Sequence, residues 1–346
     1  MSAYLFTHFT NDGKEDKEHI WFSVSRDGLN WQDLGGKEPF LTCSKGTTGI
    51  RDPFIVYDEK LKKYYIIATD LCTTKGGNWH AFSHKGSRNL IIWESEDLIS
   101  WTEPRLAEVG IDKAGCVWAP EAIYCREREE WFVFWASCVR EKGELHHKQR
   151  IYAAFTKDFI AFSPAFKYID ASTDVIDTNI VWDKGWYYRF SKDETNKKIT
   201  VERCRKLIED SENKFEKIDS ELLNDFFGLE GPEAYYLEDR NQWCLIVDQY
   251  HTQRGYLPLL CNDLSTGEFY IADESEYYMD KRQKRHGGVI KISDEEMERL
   301  VEYFAKIVTP RLSRGVLHMR AKPYATSNSL RSTLFLLLHS LIISCY

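Results

Sequence analysis

Short runs of aromatic and β-branched residues recur along the chain, each bounded by polar turn formers. This alternation predicts a protein of many short strands. The runs include Tyr64-Tyr65-Ile66-Ile67-Ala68-Thr69, Trp131-Phe132-Val133-Phe134-Trp135-Ala136, Trp186-Tyr187-Tyr188-Arg189-Phe190-Ser191 and Trp243-Cys244-Leu245-Ile246-Val247. Tyr65, Phe132, Tyr187 and Trp243 are spaced by 67, 55 and 56 residues, and Tyr4-Leu5-Phe6-Thr7 reads as a fifth copy. A turn with a following aromatic accompanies the runs. It reads Ser25-Arg26-Asp27-Gly28-Leu29-Asn30-Trp31 and Ser95-Glu96-Asp97-Leu98-Ile99-Ser100-Trp101, with looser versions at Thr156–Phe162 and Asn262-Asp263-Leu264. Two stretches read as helical, Leu207 to Phe227 and Asp294 to Ile307. Repeats of about 50–60 residues with about four strands each predict an all-β, five-bladed β-propeller. Residues 1–310 form its single domain.

Residues 311–346 break the pattern. They contain Arg311, Arg314, Arg320, Lys322 and Arg331 and no acid, so they read as appended by cloning or read-through, or as disordered, rather than as part of the fold. The chain of 346 residues carries a net charge of −8, which argues against a nucleic-acid partner. Its apolar tail run is too short to span a bilayer, so no membrane role is expected. The start has neither a basic nor an apolar leader segment, and a cytoplasmic location is expected. Nine cysteines without any CxxC read as buried free thiols rather than a zinc ribbon or redox motif.

Four copies begin with an acid just before the first strand. These are Asp52 in Arg51-Asp52-Pro53, Glu121 in Ala119-Pro120-Glu121, Asp177 in Ile176-Asp177-Thr178 and Glu230 in Glu230-Gly231-Pro232, spaced by 69, 56 and 53. First strands of propeller blades line the axis, so the four are expected at matching places around one mouth. Crowded carboxyl groups raise one another's pKa values, which equips one to donate a proton while another activates water. That is the equipment of glycosidic cleavage. Taken singly, an Asp before Pro is often only a turn residue, and Glu121 is equally an arginine partner. Asp177 reads as a blade-closing hydrogen-bond acceptor or a sugar-hydroxyl contact. No GxSxG, P-loop or His-Cys cluster offers a rival chemistry.

These motifs, in this order and spacing over roughly residues 45–290, resemble glycoside hydrolase family 43, a group of five-bladed propeller enzymes. The resemblance implies inverting hydrolysis of α-L-arabinofuranosides, arabinans, β-xylosides or β-1,3-galactans. It casts Asp52 as general base, Glu121 as the group tuning the acid's pKa, and Glu230 as general acid. Many members have Asp where this chain has Glu121. Residues 1–45 form a whole blade-like copy before Asp52, so ring closure is expected to differ from that of many members. Arg285-His286-Gly287-Gly288 resembles the family's axial histidine, which implies that His286 touches a Ca²⁺ or Na⁺ ion. No cofactor is implied for the chemistry itself.

As an acid, Glu230 must be protonated at rest, so burial or nearby acids are expected to raise its pKa. Trp79, Trp118 and Trp186 are candidates to stack on the sugar. Arg189 and Lys192 are candidate hydroxyl contacts, and Asp248, Gln249 and Tyr250 a candidate wall. The connection over 205–228 ends just before Glu230 and is expected to close one end of the groove, giving a pocket and exo action. The leading expectation is an α-L-arabinofuranosyl hydrolase acting on plant cell-wall oligosaccharide or polysaccharide. β-Xylosidase and exo-β-1,3-galactanase stay open, as does a non-catalytic carbohydrate-binding propeller.

Overall fold

The computed structural model describes residues 2–10 and 18–316. Its strands form five four-stranded antiparallel sheets. The first sheet contains β1 (Ser2–Phe9), β2 (Trp21–Ser25) and β3 (Gln32–Asp33). The second is β4 (Ile50–Asp58), β5 (Lys63–Asp70), β6 (Asn89–Ser95) and β7 (Arg105–Glu108), with helix α1 (Trp79–Lys85) inserted between β5 and β6. The third is β8 (Trp118–Cys125), β9 (Glu130–Val139), β10 (Lys148–Thr156) and β11 (Phe166–Ile169). The fourth is β12 (Val175–Asp183), β13 (Trp186–Asp193), β14 (Lys198–Cys204) and β15 (Glu216–Ile218), followed by helix α2 (Glu221–Asp225). The fifth is β16 (Glu230–Leu237), β17 (Gln242–Asp248), β18 (Tyr256–Cys261) and β19 (Tyr270–Ile271). Strand β20 (Arg285–Ser293) then returns to the first sheet, and helix α3 (Asp294–Val316) follows it. The fold is a five-bladed β-propeller.

The apolar runs are continuous because a blade is buried on both faces, so side chains pointing to opposite sides both need apolar partners. Ile66 packs toward the first blade and Ile67 toward the third. Val133 and Phe134 divide likewise between the second and fourth blades, and Leu245 and Ile246 between the fourth and first. Five hydrophobic clusters result, one at each junction between neighbouring blades.

The N-terminal copy is not a whole blade, contrary to the sequence reading. It supplies three strands, and β20 pairs antiparallel with β1 from Ser2↔Ser293 to Phe9↔Arg285 as the fourth, innermost strand. The last strand therefore closes the ring. Two glycines make its approach possible: a Cβ on Gly287 would lie 2.0 Å from the Thr7 carbonyl oxygen, and one on Gly288 would lie 2.9 Å from the Phe54 ring.

The helix expected from Asp294 forms, and Met297, Leu300 and Phe304 join the core between the first two blades. The helix expected over Leu207–Phe227 does not. Asp210 accepts the backbone N–H groups of Glu212 and Asn213, which breaks the segment into a turn. Ile218 is then recruited as outer strand β15, leaving only the short α2 helical. Residues Met1–Ile307 form one compact unit. Most of the basic tail lies outside the described residues. All described cysteines are free.

Candidate active site

Each of the inner strands β4, β8, β12 and β16 breaks register near its start. The shift falls between Arg51 and Phe54, Trp118 and Glu121, Ile176 and Thr178, and Glu230 and Glu233. One residue of each bulge is left-handed: Asp52 at φ 48, Ala119 at 46, Asp177 at 47 and Gly231 at 51. A bulge re-aims side chains, and its recurrence marks the true structural equivalence of the blades. The four acids are therefore not at matching places. Asp52 and Asp177 occupy the bulge itself, Glu230 precedes it by one, and Glu121 follows it by two.

This offset sorts the acids into two layers. Asp52, Asp177 and Glu230 line a cavity of about 580 Å³ at one mouth of the ring. Glu121 does not line it, and is buried alongside its equivalents Asn179 and Glu233. The Asn179 amide donates to Glu121 Oε2 at 2.9 Å and to Glu233 Oε2 at 2.7 Å, joining the two carboxyl groups. Burial pushes Glu121 up to about 7. Burial and repulsion from Glu121 hold Glu233 well above the usual carboxylate range.

His286, carried in by the closing strand β20, stands between the layers. Its Nδ1 lies 3.6 Å from Asp52 and 3.9 Å from Asp177, and its Nε2 lies 3.7 Å from Glu121. The last contact is an ion pair too long for a hydrogen bond, and Glu121 Oε1 accepts none. Burial alone would lower the imidazole pKa. Asp177, Glu121 and Asp52 outweigh it and push His286 up to about 10. Gly231 permits this placement, because a Cβ there would come within 2.8 Å of the His286 ring. No group of three or more His, Cys, Asp or Glu side chains among the described residues is arranged to hold a metal.

Glu230 departs from expectation in its proton affinity. Burial would raise its pKa, yet Lys192 and Arg285 hold it below the usual value. Lys192 Nζ donates to Glu230 Oε2 at 2.8 Å and Arg285 Nη2 to Oε1 at 2.8 Å. Asp177 moves the other way. Its burial, with repulsion from Glu230 and Asp52, pushes it up to about 6 against the attraction of His286 and Lys192. Asp52 receives the Thr69 hydroxyl on Oδ2 at 2.8 Å.

Aromatic walls flank these acids. Trp79, on α1, is 58% exposed and meets Trp118 edge-on, with centroids 6.0 Å apart and planes at 86°. Together with His80 and Ser83 of α1 they line the cavity, as does Tyr250. The segment 205–228, expected to close the groove, contributes no lining residue, because it is spent on the outer edge of the fourth blade. Helix α1 of the second blade forms a wall instead.

Four further candidates lie away from the cavity. The pairing of β12 with β13 places Lys192 opposite Ile176 but Trp186 opposite Asp183, at the far end of the hairpin. There Trp186 packs against the guanidinium groups of Arg203 and Arg205. Arg189, mid-strand, pairs with Glu202 at 2.7 Å and covers the Phe215 ring. Gln249 folds back on the Gly255 carbonyl, and its loop neighbours Tyr250 and Gln253 reach the cavity instead. Asp248 is buried behind the wall on Arg285, at 2.5 Å. Sequence reasoning missed Arg51, Glu194 and Arg285, all of which line the cavity. The available signal was adjacency, since Arg51 and Arg285 directly precede Asp52 and His286.

Comparison with known proteins agrees with this architecture. A family related to glycosyl hydrolase family 43, described as "Probable glycosyl hydrolase domain", matches residues 1–298. An α-L-arabinofuranosidase of Bifidobacterium longum subsp. longum is 28% identical over 233 residues. That match covers 60% of this chain but only 22% of the relative's length. Among solved structures, a family-43 β-1,3-galactosidase with bound galactodeoxynojirimycin superposes with TM-score 0.53 at 12% identity, covering 80% of this chain and 91% of that one. An endo-1,4-β-xylanase of Bacteroides thetaiotaomicron gives 0.52 at 12% identity, with coverage of 82% and 92%. At such identities the structures show a shared fold. The match along nearly the whole propeller shows more: the chain belongs to the family-43-related glycoside hydrolases.

Proposed function

We propose that this glycoside hydrolase is an inverting, exo-acting α-L-arabinofuranosidase. One observation carries the reading: Asp52, Asp177 and Glu230 converge on a single cavity walled by Trp79 and Trp118. Asp52 acts as general base, taking a proton from the water that attacks the anomeric carbon. Glu230 acts as general acid toward the departing glycosidic oxygen. Inversion requires space for that water, a carboxyl separation of about 6.5–9.5 Å in such enzymes. The tuning role moves from Glu121 to Asp177, because Asp177 shares the cavity with Glu230 and feels its charge directly. Support for the arabinofuranosyl group comes from the B. longum relative, and support for exo action from the cavity wall formed by α1.

A panel of 4-nitrophenyl glycosides, run beside linear arabinan, tests this. The α-L-arabinofuranoside is expected to be cleaved fastest, and arabinan to yield arabinose without intermediate oligosaccharides. Preference for β-xyloside or β-galactoside would reassign the sugar. Early mixed oligosaccharides would overturn exo action. Binding without any hydrolysis would favour a carbohydrate-binding propeller.

A further inference from the structure

We propose that Lys192 is a positioning residue that a bound sugar transfers from Glu230 to Glu194, releasing Glu230 to take up a proton from solvent. The inference rests on the reading of Glu230 as general acid. That reading meets a difficulty, since an acid must hold a proton, yet two cations clamp this carboxylate.

The clamps differ in freedom. Arg285 is committed through Nε to Asp248 and through Nη2 to Glu230, on the ring-closing strand. Lys192 has somewhere else to go. Its ammonium bridges two carboxylates, hydrogen-bonding Glu230 at 2.8 Å and pairing with Glu194 Oε2 at 2.7 Å. Glu194 is therefore a second carboxylate already in position to hold the ammonium by itself. Its other oxygen is held by Lys197. A flexible lysine stem with three donors can turn from one carboxylate to the other without moving backbone.

The trigger is at hand. Lys192, Glu194, Glu230 and Tyr250 all line the cavity, and the ammonium lies 4.3 Å from the centre of the Tyr250 ring. A sugar hydroxyl entering along this wall meets the ammonium and competes for its N–H groups. The charged groups facing Glu230 are Lys192, Glu194, Asp177, Asp248, Arg285 and His286. Among these cations, Lys192 is the one on a flexible stem shared between two cavity-lining carboxylates. Its removal favours the protonated acid, since an adjacent opposite charge lowers a carboxyl pKa by roughly 1–3 units. The proton goes from solvent to Glu230, then to the glycosidic oxygen. Asp52 returns the water's proton to solvent, so the cycle balances.

The test compares pH profiles on a phenyl glycoside, whose leaving group needs the acid. The basic limb of kcat/KM reports the free enzyme and that of kcat the complex. In the wild type the kcat limb is expected roughly one unit above the kcat/KM limb. Lys192→Met closes this gap by raising the kcat/KM limb, whereas Glu194→Gln closes it by lowering the kcat limb. Loss of rate at every pH with both limbs unmoved would show a merely structural role and overturn the proposal. Glu230→Gln separates the two failures. If it is inactive while the limbs stay fixed, only the lysine transfer fails. If it keeps wild-type rate, the acid assignment itself falls.

Discussion

Asp52 and His286 show how single residues set the chemistry. Asp52 holds a left-handed backbone at the bulge, a strained conformation for a non-glycine residue, and it is this that turns the carboxyl toward the axis. Asp52→Asn keeps the Thr69 contact and much of the shape, so folding is expected to survive while kcat falls roughly 10²–10⁴-fold. Thermal melts and steady-state kinetics on the same sample check both halves. His286 gives a second expectation. Its folded pKa, about 10, exceeds the ordinary 6.5, so its contribution to stability is complete below 6.5 and is lost as pH rises through about 10. Urea midpoints measured from pH 6.5 to 10 are expected to fall more steeply for the wild type than for His286→Asn. A parallel decline would show that the charge does not stabilise the fold. The sequence displayed these residues as candidates, but it hid the layering. A two-residue offset between Glu121 and Asp52 within a bulge looks like equivalence when only spacing is visible.

Elements were legible where local chemistry decides them. The turn with Asp27, Asp97 or Asp158 recurs as the sequence suggested. Asp97 accepts the N–H groups of Ile99 and Ser100, and Asp158 those of Ile160 and Ala161. The left-handed position is Gly28 in one blade but Leu98 and Phe159 in others, where complete burial offsets the strain. Helix α1 was not legible, because its short run Trp79–Lys85 has no buried residue and so leaves no apolar period. The long connection before Glu230 misled for the opposite reason, since its apolar residues serve separate junctions between blades. Trp79 tests the role of α1. With its ring exposed, Trp79→Ala is expected to leave the melting temperature unchanged and to raise KM roughly tenfold, about 1.4 kcal/mol of lost binding. An unchanged KM would remove α1 from the binding wall.

The whole molecule couples folding to function through the closing strand. β20 completes the first blade and also delivers Arg285 and His286 to the mouth, so the site is assembled only in the closed ring. Gly287→Ala forces a methyl against the Thr7 backbone, which cannot retreat as a flexible side chain could. It is expected to cost roughly 1–3 kcal/mol, the range of core overpacking, and to reduce activity in step with stability. Chemical denaturation and activity along one urea series check that coupling. The account as a whole turns on Asp52 and Glu230 acting on one glycosidic bond with a water between base and sugar. The most direct measurement is the proton NMR spectrum in the first minutes of 4-nitrophenyl α-L-arabinofuranoside hydrolysis. The account predicts that β-arabinofuranose appears first and then mutarotates; initial release of the α-anomer, which signals a covalent glycosyl-enzyme, would contradict it.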